Sequence, residues 1–269
     1  MERRIIGVIG AGAMGTAIIR GLLRGGHLAE DILVCEPDPA RTELLVESGL
    51  DIQPNNRSLV EKAQGVIIAV KPQVLPEVLK EIAEFYHADT PLLSVAAGVS
   101  TTTLEAALPA GTAIVRAMPN TPALIGEGVT AICGGTNASM EHLSWAHELL
   151  SPLGKVVIVR EALMDAVTGL SGSGPAYVYL FIEALIEAGV RAGIPRDTAK
   201  ELVYHTVQGS IKMAFETKEH PAKLREQVTS PGGTTAAALA VFEQGAFRAL
   251  VSNAVMAAME RSKVLGSGK

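Results

Sequence analysis

The sequence contains very little cysteine and no excess of positive charge. Its 269 residues include two cysteines, Cys35 and Cys133, which are far apart and form no CxxC pair. This excludes a disulfide scaffold and a thiolate metal cluster, and it favours a reducing compartment. The formal net charge of −5 lacks the basic excess with which nucleic-acid-binding proteins neutralise phosphates. Nucleic acid is therefore not an expected partner.

Long hydrophobic runs are also missing. The apolar stretch Ile5–Ile19 is interrupted by glycines and ends at Arg20 without an Ala-x-Ala cleavage site. No other stretch approaches the roughly 20 apolar residues that a membrane span needs. Hydrophobic residues make up 48% of the chain and charged residues 19%, as in soluble globular proteins. We therefore expect a cytoplasmic protein with no membrane partner.

Histidines at metal-binding spacing are missing as well. None of the six histidines forms an HxxxH or HExxH pair. His142 and His147 are five positions apart, so they do not share one face of a helix. We therefore expect no metal site.

The first part of the chain alternates short apolar runs with helical patterns. Because the runs are continuously apolar, they predict strands that are buried on both faces, as in a parallel sheet covered by helices. The predicted strands are Ile5–Ile9, Ile32–Cys35, Val66–Val70, Leu92–Ala96, Ala113–Ala117 and Val156–Val159. The pattern indicates a doubly wound α/β, Rossmann-type domain over residues 1–160.

Residues 161–269 show no strand pattern and predict an all-helical domain. The predicted helices are Tyr177–Ala192, Arg196–Phe215, Thr234–Gln244 and Phe247–Lys263. Residues 246–259 are apolar nearly all round, which is typical of a helix buried on every side. In a domain of this size such burial favours a second subunit, so we expect a homo-oligomer.

A glycine-rich turn directly follows the first predicted strand and opens a helix over Ala13–Leu23. It has the GxGxxG pattern and consists of Gly10, Ala11, Gly12, Ala13, Met14 and Gly15. In this context the first glycine makes a tight turn, the second allows close approach of a pyrophosphate, and the third packs helix on strand. The amides at the helix N-terminus attract the phosphates. The turn predicts a dinucleotide site.

Glu36 bears on which dinucleotide is bound. It follows the second predicted strand, where a carboxylate accepts hydrogen bonds from the adenine-ribose hydroxyls of NAD and repels the 2′-phosphate of NADP. Arg41, one helical turn away, has a positive charge that would offset this repulsion, but a solvated charge on the helix surface is the favoured interpretation of Arg41. The residues favour NADH, and NADPH stays an alternative.

Five motifs in order along the chain resemble pyrroline-5-carboxylate reductase. They are Gly10–Gly15, Ala69–Pro72, Met118–Pro122, Ser171–Ala176 and Ser230–Thr235. The resemblance implies an NAD(P)H-dependent oxidoreductase that reduces the cyclic imine 1-pyrroline-5-carboxylate to L-proline, the last step of proline biosynthesis. It also implies a homodimer through the C-terminal helices, with further assembly into a decamer as an open alternative.

The resemblance further implies site residues. Those for the cofactor are Asn56, Ala69, Val70, Lys71, Pro72, Val95, Ala96 and Ala97, the last three as a wall beside the nicotinamide. Those for the substrate are Glu161, Ser230, Gly232, Gly233, Thr234 and Thr235. Thr235 matches the hydroxyl that hydrogen-bonds the ring nitrogen and is the predicted catalytic residue. Asn120 joins the cofactor set because it follows a predicted strand, where ligands bind in open α/β sheets.

Other interpretations of these patterns remain. Gln227 stands where some relatives carry an Asn that touches the cofactor. Thr235 could also be interpreted as the N-cap of its helix.

A β-hydroxyacid dehydrogenase would share the fold, but its proton-transferring lysine is replaced here by Val178. A dinucleotide sensor without catalysis is a further alternative, and it would bind the cofactor without turnover.

Overall fold

The computed structural model describes residues 4–266, so the outer ends of both predicted domains lie outside it. The chain divides into two compact units. The first, which we call the sheet unit, runs to Ser173 and resumes at Ala257; the second, the helical unit, is Gly174–Met256. Residues 161–173, which the sequence assigns to the helical domain, lie in the sheet unit. The boundary at residue 160 stays a prediction.

The sheet unit contains an eight-stranded sheet with the order β3-β2-β1-β4-β5-β6-β7-β8. All strand pairs are parallel except β6 with β7. The strands are β1 (Ile6–Ile9), β2 (Ile32–Cys35), β3 (Asp51–Ile52), β4 (Gly65–Ile68), β5 (Leu92–Ser94), β6 (Ile114–Met118), β7 (Gly128–Gly134) and β8 (Gly154–Ile158). The predicted Rossmann-type fold is confirmed, and β3, β7 and the antiparallel pair are additions to it.

Helices cover both faces of this sheet. They are α1 (Ala13–Arg24), α2 (Pro39–Glu47), α3 (Asn56–Val60), α4 (Leu75–Ile82), α5 (Thr101–Ala107), α6 (Met140–Leu150) and α7 (Met164–Val167). Successive residues of β1 enter opposite cores: Val8 belongs to the cluster of Ile18 in α1, and Ile9 to that of Leu59 in α3. Strands buried on both faces explain the continuously apolar runs in the sequence.

The helical unit consists of helices joined by short turns. They are α8 (Gly174–Arg191), α9 (Arg196–Thr217), α10 (Pro221–Gln227), α11 (Thr234–Gln244) and α12 (Phe247–Gly266), the last of which continues into the sheet unit. All the predicted helices are present, and α10 was not predicted. No helix within residues 4–266 is long and apolar enough to span a membrane.

Candidate cofactor and substrate sites

The predicted cofactor residues come together at one edge of the sheet. Strands β1, β2, β4, β5 and β6 are parallel neighbours, so the loops that follow them lie side by side. The Gly10 amide donates to the Cys35 carbonyl at 2.9 Å, and the Ala69 amide donates to the Ile9 carbonyl at 2.8 Å. This carboxyl edge is where ligands bind in open α/β sheets.

Each glycine of the turn after β1 has a distinct steric role. Gly10 adopts a φ of +90°, and a Cβ there would lie 2.8 Å from Val70 Cγ1. A Cβ on Gly15 would collide with the Gly10 carbonyl oxygen. A Cβ on Gly12 would meet, within 4 Å, one described atom, Nη1 of Arg41, at 3.9 Å. The outer glycines therefore serve packing, while the space beside Gly12 is open, as close approach of a pyrophosphate requires.

The N-terminus of α1 is suited to bind that pyrophosphate. Its N-cap is Gly12, and no side chain caps the first turn. The first amides of a helix have no acceptor within it, so those of Ala13 and Met14 are available to an anion, and the helix dipole adds positive potential. The residues present thus fit a dinucleotide.

Glu36 is held more firmly than the sequence predicts. Its carboxylate accepts hydrogen bonds from the amides of Ala11 at 2.6 Å and Asp38 at 3.0 Å, and its side chain is 5% exposed. Arg41 lies 3.7 Å from the same carboxylate and 3.3 Å from that of Asp38. Glu36 therefore fixes the glycine turn to the end of β2 and also places a negative charge beside it.

Two amide side chains of the predicted cofactor set form bonds within the protein. Asn56 donates to Glu81 Oε2 at 2.7 Å. Asn120 is buried; it accepts from the Val129 amide at 2.9 Å and donates to the Ser171 carbonyl at 3.2 Å. Asn120 thus braces the loop after β6 against a π-helical turn, Thr168–Gly172. Its contact with a cofactor stays a prediction, as does that of Asn56.

The remaining predicted residues follow β4 and β5. Lys71 is exposed in the loop after β4. In the predicted nicotinamide wall, Ala96 is buried, Val95 and Ala97 are half-buried, and the Val95 amide donates to the Ile68 carbonyl at 3.0 Å. The wall is therefore fixed to the neighbouring strand.

The half-buried thiol of Cys35 and the buried thiol of Cys133 stay protonated at neutral pH. Burial, with the nearby carboxylates of Glu81 and Glu36, raises the pKa of Cys35 to about 11. Burial and the Glu161 carboxylate raise the pKa of Cys133 to about 11, although Arg116 opposes the shift. Neither thiol is acidic enough to donate a proton at neutral pH.

The predicted substrate residues of the helical unit form the start of α11. Gly233 is the N-cap with no side-chain cap, and its amide donates to the Ser230 carbonyl at 3.0 Å. Gly232 has a φ of +69°, and a Cβ on Gly233 would lie 3.1 Å from the Ser230 carbonyl oxygen. Thr234 and Thr235 are therefore the first and second helical residues. The interpretation of Thr235 as the N-cap is wrong.

Glu161, the remaining predicted substrate residue, forms bonds inside the sheet unit. Its carboxylate accepts hydrogen bonds from the Thr101 amide at 2.6 Å and from the Thr101 hydroxyl. It also lies 3.3 Å from Nη1 of Arg116, whose side chain is 6% exposed. Sequence reasoning missed this network, and the role of Glu161 toward substrate stays a prediction.

Within residues 4–266, no group of three or more His, Cys, Asp or Glu side chains is arranged to hold a metal ion. His142, one of the histidines considered above, accepts the Ser139 amide at 3.0 Å and so helps to cap α6.

Two family models match the chain, and together they cover most of it. One, described as pyrroline-5-carboxylate reductase dimerisation, matches residues 161–265. The other, described as NADP oxidoreductase, coenzyme F420-dependent, matches residues 5–98. The second match covers the glycine turn, Glu36 and the loops after β4 and β5, but not Asn120.

Relatives similar over the whole length carry the same name as the first model. The pyrroline-5-carboxylate reductase of Synechocystis sp. is 46% identical over 97% of this chain and 98% of its own. That of Methanosarcina acetivorans is 41% identical over 99% of both chains. A crystal structure of Plasmodium falciparum pyrroline carboxylate reductase with NADP bound has a TM-score of 0.90, 34% identity and 99% coverage of both chains. The chain belongs to the pyrroline-5-carboxylate reductase family.

Proposed function

We propose that this protein reduces 1-pyrroline-5-carboxylate to L-proline with NADH or NADPH, the last step of proline biosynthesis. The observation behind the proposal is that one chain contains two features. The first is an open glycine turn at the carboxyl edge of its sheet, and the second is the uncapped N-terminus of α11, which includes Thr235. The first feature fits a dinucleotide, and the second fits a small molecule with a carboxylate and a polar ring nitrogen. Family membership supports both assignments.

The start of α11 supplies the groups that such a substrate needs. The first amides of the helix, beginning at Thr234, have no acceptor within the helix and lie at the positive end of its dipole. They are therefore suited to bind the substrate carboxylate. The Thr235 hydroxyl both donates and accepts, so it can hydrogen-bond the ring nitrogen as imine and as amine. Gly232 and Gly233 let the chain turn tightly enough to expose these groups.

Residues 230–235, at the start of α11, include no acidic side chain, which fits an imine better than a ketone or alcohol. A cyclic imine arrives protonated as an iminium, so its reduction needs orientation more than a strong acid. A bound reduced nicotinamide supplies the hydride. Alcohol oxidation would need a base, and the corresponding lysine of β-hydroxyacid dehydrogenases is Val178 here.

For the choice between the two cofactors we favour NADH. The buried Glu36 carboxylate, fixed by the Ala11 amide, stands where an adenine ribose would lie and would repel a 2′-phosphate. Arg41 lies beside it with its side chain half exposed and offers a partner for that phosphate, so NADPH is the alternative. The Plasmodium relative is described with NADP bound.

We also propose that the protein works as a cytoplasmic homodimer joined through its C-terminal helices. The dimerisation model that matches residues 161–265 supports the interface. The free thiols of Cys35 and Cys133 are consistent with a reducing compartment. Sedimentation analysis of the purified protein would distinguish a dimer from a decamer.

An assay of cofactor oxidation tests the reaction. Purified protein is mixed with NADH or NADPH and with five- and six-membered cyclic imines, with and without a carboxylate, and loss of the reduced cofactor is followed optically. We expect the highest kcat/KM with the five-membered imino acid and a lower value for the ring without a carboxylate. Cofactor binding without turnover of any imine would instead support a dinucleotide sensor. In a separate mixture of the protein with a β-hydroxy acid and oxidised NAD or NADP, formation of reduced cofactor would support a dehydrogenase.

A further inference from the structure

The chain passes between its two units twice, and both passages are anchored in the sheet unit. It leaves the sheet unit after Ser173 and returns at Ala257. We call residues 161–173 the leading segment and residues 257–266 the trailing segment; both belong to the sheet unit. The contacts described below for these two segments therefore lie within the sheet unit.

The leading segment is anchored at its first residue. Glu161 accepts the amide and hydroxyl of Thr101 and pairs with Arg116 of β6. Thr101 and Arg116 are both buried. A buried arginine needs a hydrogen-bonded partner because an unpaired charge in the interior is strongly destabilising. The Glu161 carboxylate is therefore needed as the partner of Arg116 within the sheet unit.

The trailing segment is hydrogen-bonded to the leading segment and packs closely against Gly98, in the connection between β5 and α5. The buried Ser262 hydroxyl donates to Asp165 Oδ1 at 2.7 Å. Gly98 has a φ of +79°, and a Cβ on it would lie 3.1 Å from the Gly266 amide nitrogen and 3.3 Å from the Ser262 carbonyl oxygen. Gly98 is three positions before Thr101. Both segments thus converge on the connection between β5 and α5.

That connection also carries Val95–Ala97, the proposed nicotinamide wall. The wall, Gly98 and the Thr101 anchor lie within seven consecutive residues, from 95 to 101. A displacement of either segment would therefore act directly on the proposed nicotinamide wall, whereas the proposed adenine-ribose site lies at Glu36, after β2. The two can be affected separately.

We propose that Glu161 and Ser262 are positioning residues: they hold the leading and trailing segments against residues 95–101 and so keep the nicotinamide wall in place. This inference rests on the proposed function. It assigns the Glu161 carboxylate to Thr101 and Arg116 and not to the substrate. Hydride transfer depends on alignment of the reacting atoms to within a fraction of an ångström, so loosening the anchors should lower kcat and leave cofactor affinity unchanged.

Thr101 offers a matched pair of variants because it lies outside the proposed binding sets. Thr101→Val keeps the shape but removes the hydroxyl bond to Glu161, whereas Thr101→Ser keeps the hydroxyl. We expect Thr101→Val to lower kcat by about tenfold, since small misalignments remote from the chemistry have effects of this order. Thr101→Ser should retain the wild-type kcat. The Kd of NADH, from its fluorescence on binding, should be the same in both.

A second pair tests the trailing segment if Thr101→Val does not fold. Ser262→Ala removes the bond to Asp165, while Asp165→Asn keeps an acceptor for it. Ser262→Ala should lower kcat, and Asp165→Asn should not. An unchanged kcat in both Thr101→Val and Ser262→Ala would overturn the proposal. A higher imine KM in Glu161→Gln, with Thr101→Val unaffected, would do the same and would assign Glu161 to the substrate.

Hydrogen exchange separates failure of this inference from failure of the proposed function. If the wild-type protein reduces no imine, amide exchange of residues 161–173 and 257–266 is compared in the same variants. Faster exchange in Thr101→Val than in Thr101→Ser would support the anchor without reference to the reaction. Equal exchange in the two would overturn it.

Discussion

The sheet unit and the helical unit differ sharply in how they bury apolar side chains. The sheet unit has two large clusters, one on each face of its sheet, in which residues such as Val8 and Ile9 are fully enclosed. Among residues 174–256, all of which the structure describes, Ala199 alone is buried. The single chain thus completes the core of the sheet unit and leaves the helical unit without one.

The side chains left exposed in the helical unit are large and apolar. They are Val178, Tyr179, Leu180, Phe181, Leu202, Tyr204, Ile211, Met213, Phe215, Val228, Val241, Phe242, Phe247, Leu250, Val251 and Met256. So large an exposed apolar surface marks an interaction site. The helix over residues 246–259 is exposed along most of its length, so the burial that its sequence predicts requires a partner surface. The comparison teaches that the apolar residues of the helical unit encode association rather than a core of their own.

Two leucines with the same exposure test this contrast most strongly. Leu44 of the sheet unit and Leu250 of the helical unit are both 65% exposed in the single chain. A partner that covers Leu250 would force a buried, unpaired charge in Leu250→Asp, at about 3–5 kcal/mol, which raises the dimer Kd more than about a hundredfold. Leu44→Asp should leave assembly unchanged. Sedimentation velocity over a concentration series measures both.

Two results would contradict an interface formed by the helical unit. If the two variants assemble alike, Leu250 does not lie in an interface. If the wild-type protein is a stable, active monomer, the exposed helices do not need a partner.

The sequence predicts the sheet unit well because its signals are local. Continuously apolar runs mark strands buried on both faces, and Asp38 with Pro39 marks the start of α2, where the Asp38 side chain accepts the Ala40 amide. The strand β7 escapes prediction because it begins and ends in glycine, Gly128 and Gly134, and pairs antiparallel with β6. Two-residue β3 has too little pattern to detect.

The site is predicted less completely because its key contacts join distant parts of the chain. The bond from the Ala11 amide to Glu36 spans 25 positions, and that from Thr101 to Glu161 spans 60. Motifs indicate which residues matter for the cofactor, but they do not show that Glu36 also fixes the glycine turn. For Glu161, the motif match and the observed bonds point to different roles.

Thr235 tests the contribution of the helical unit to the reaction. Thr235→Ala should lower kcat/KM for the imino acid about tenfold or more, because each ~1.4 kcal/mol of lost transition-state stabilisation is a factor of ten. Since Gly233 is the N-cap, the substitution removes no cap, so the unfolding free energy should change little. Thr235→Ser retains the hydroxyl and should retain most of the activity. Steady-state kinetics and thermal unfolding measure these effects.

Two outcomes would contradict a role of Thr235 in the reaction. A folded Thr235→Ala protein with wild-type kcat/KM would mean that the backbone amides of α11 alone orient the substrate. A loss of stability that parallels the loss of activity would give Thr235 a structural role.

Glu36 tests the contribution of the sheet unit, and here the smallest effect is expected. Glu36→Gln removes the charge but keeps an oxygen that can accept the Ala11 amide, whereas Glu36→Ser loses both. Relief of repulsion toward a 2′-phosphate by about 1 kcal/mol would raise the ratio of kcat/KM with NADPH to kcat/KM with NADH roughly fivefold in either variant.

If anchoring of the glycine turn by Glu36 also matters, Glu36→Ser alone should have a lower kcat/KM with both cofactors. Arg41→Gln should lower the same ratio if Arg41 contacts the phosphate. A ratio unchanged in Glu36→Gln would limit Glu36 to holding the turn, and cofactor choice would then depend on other residues.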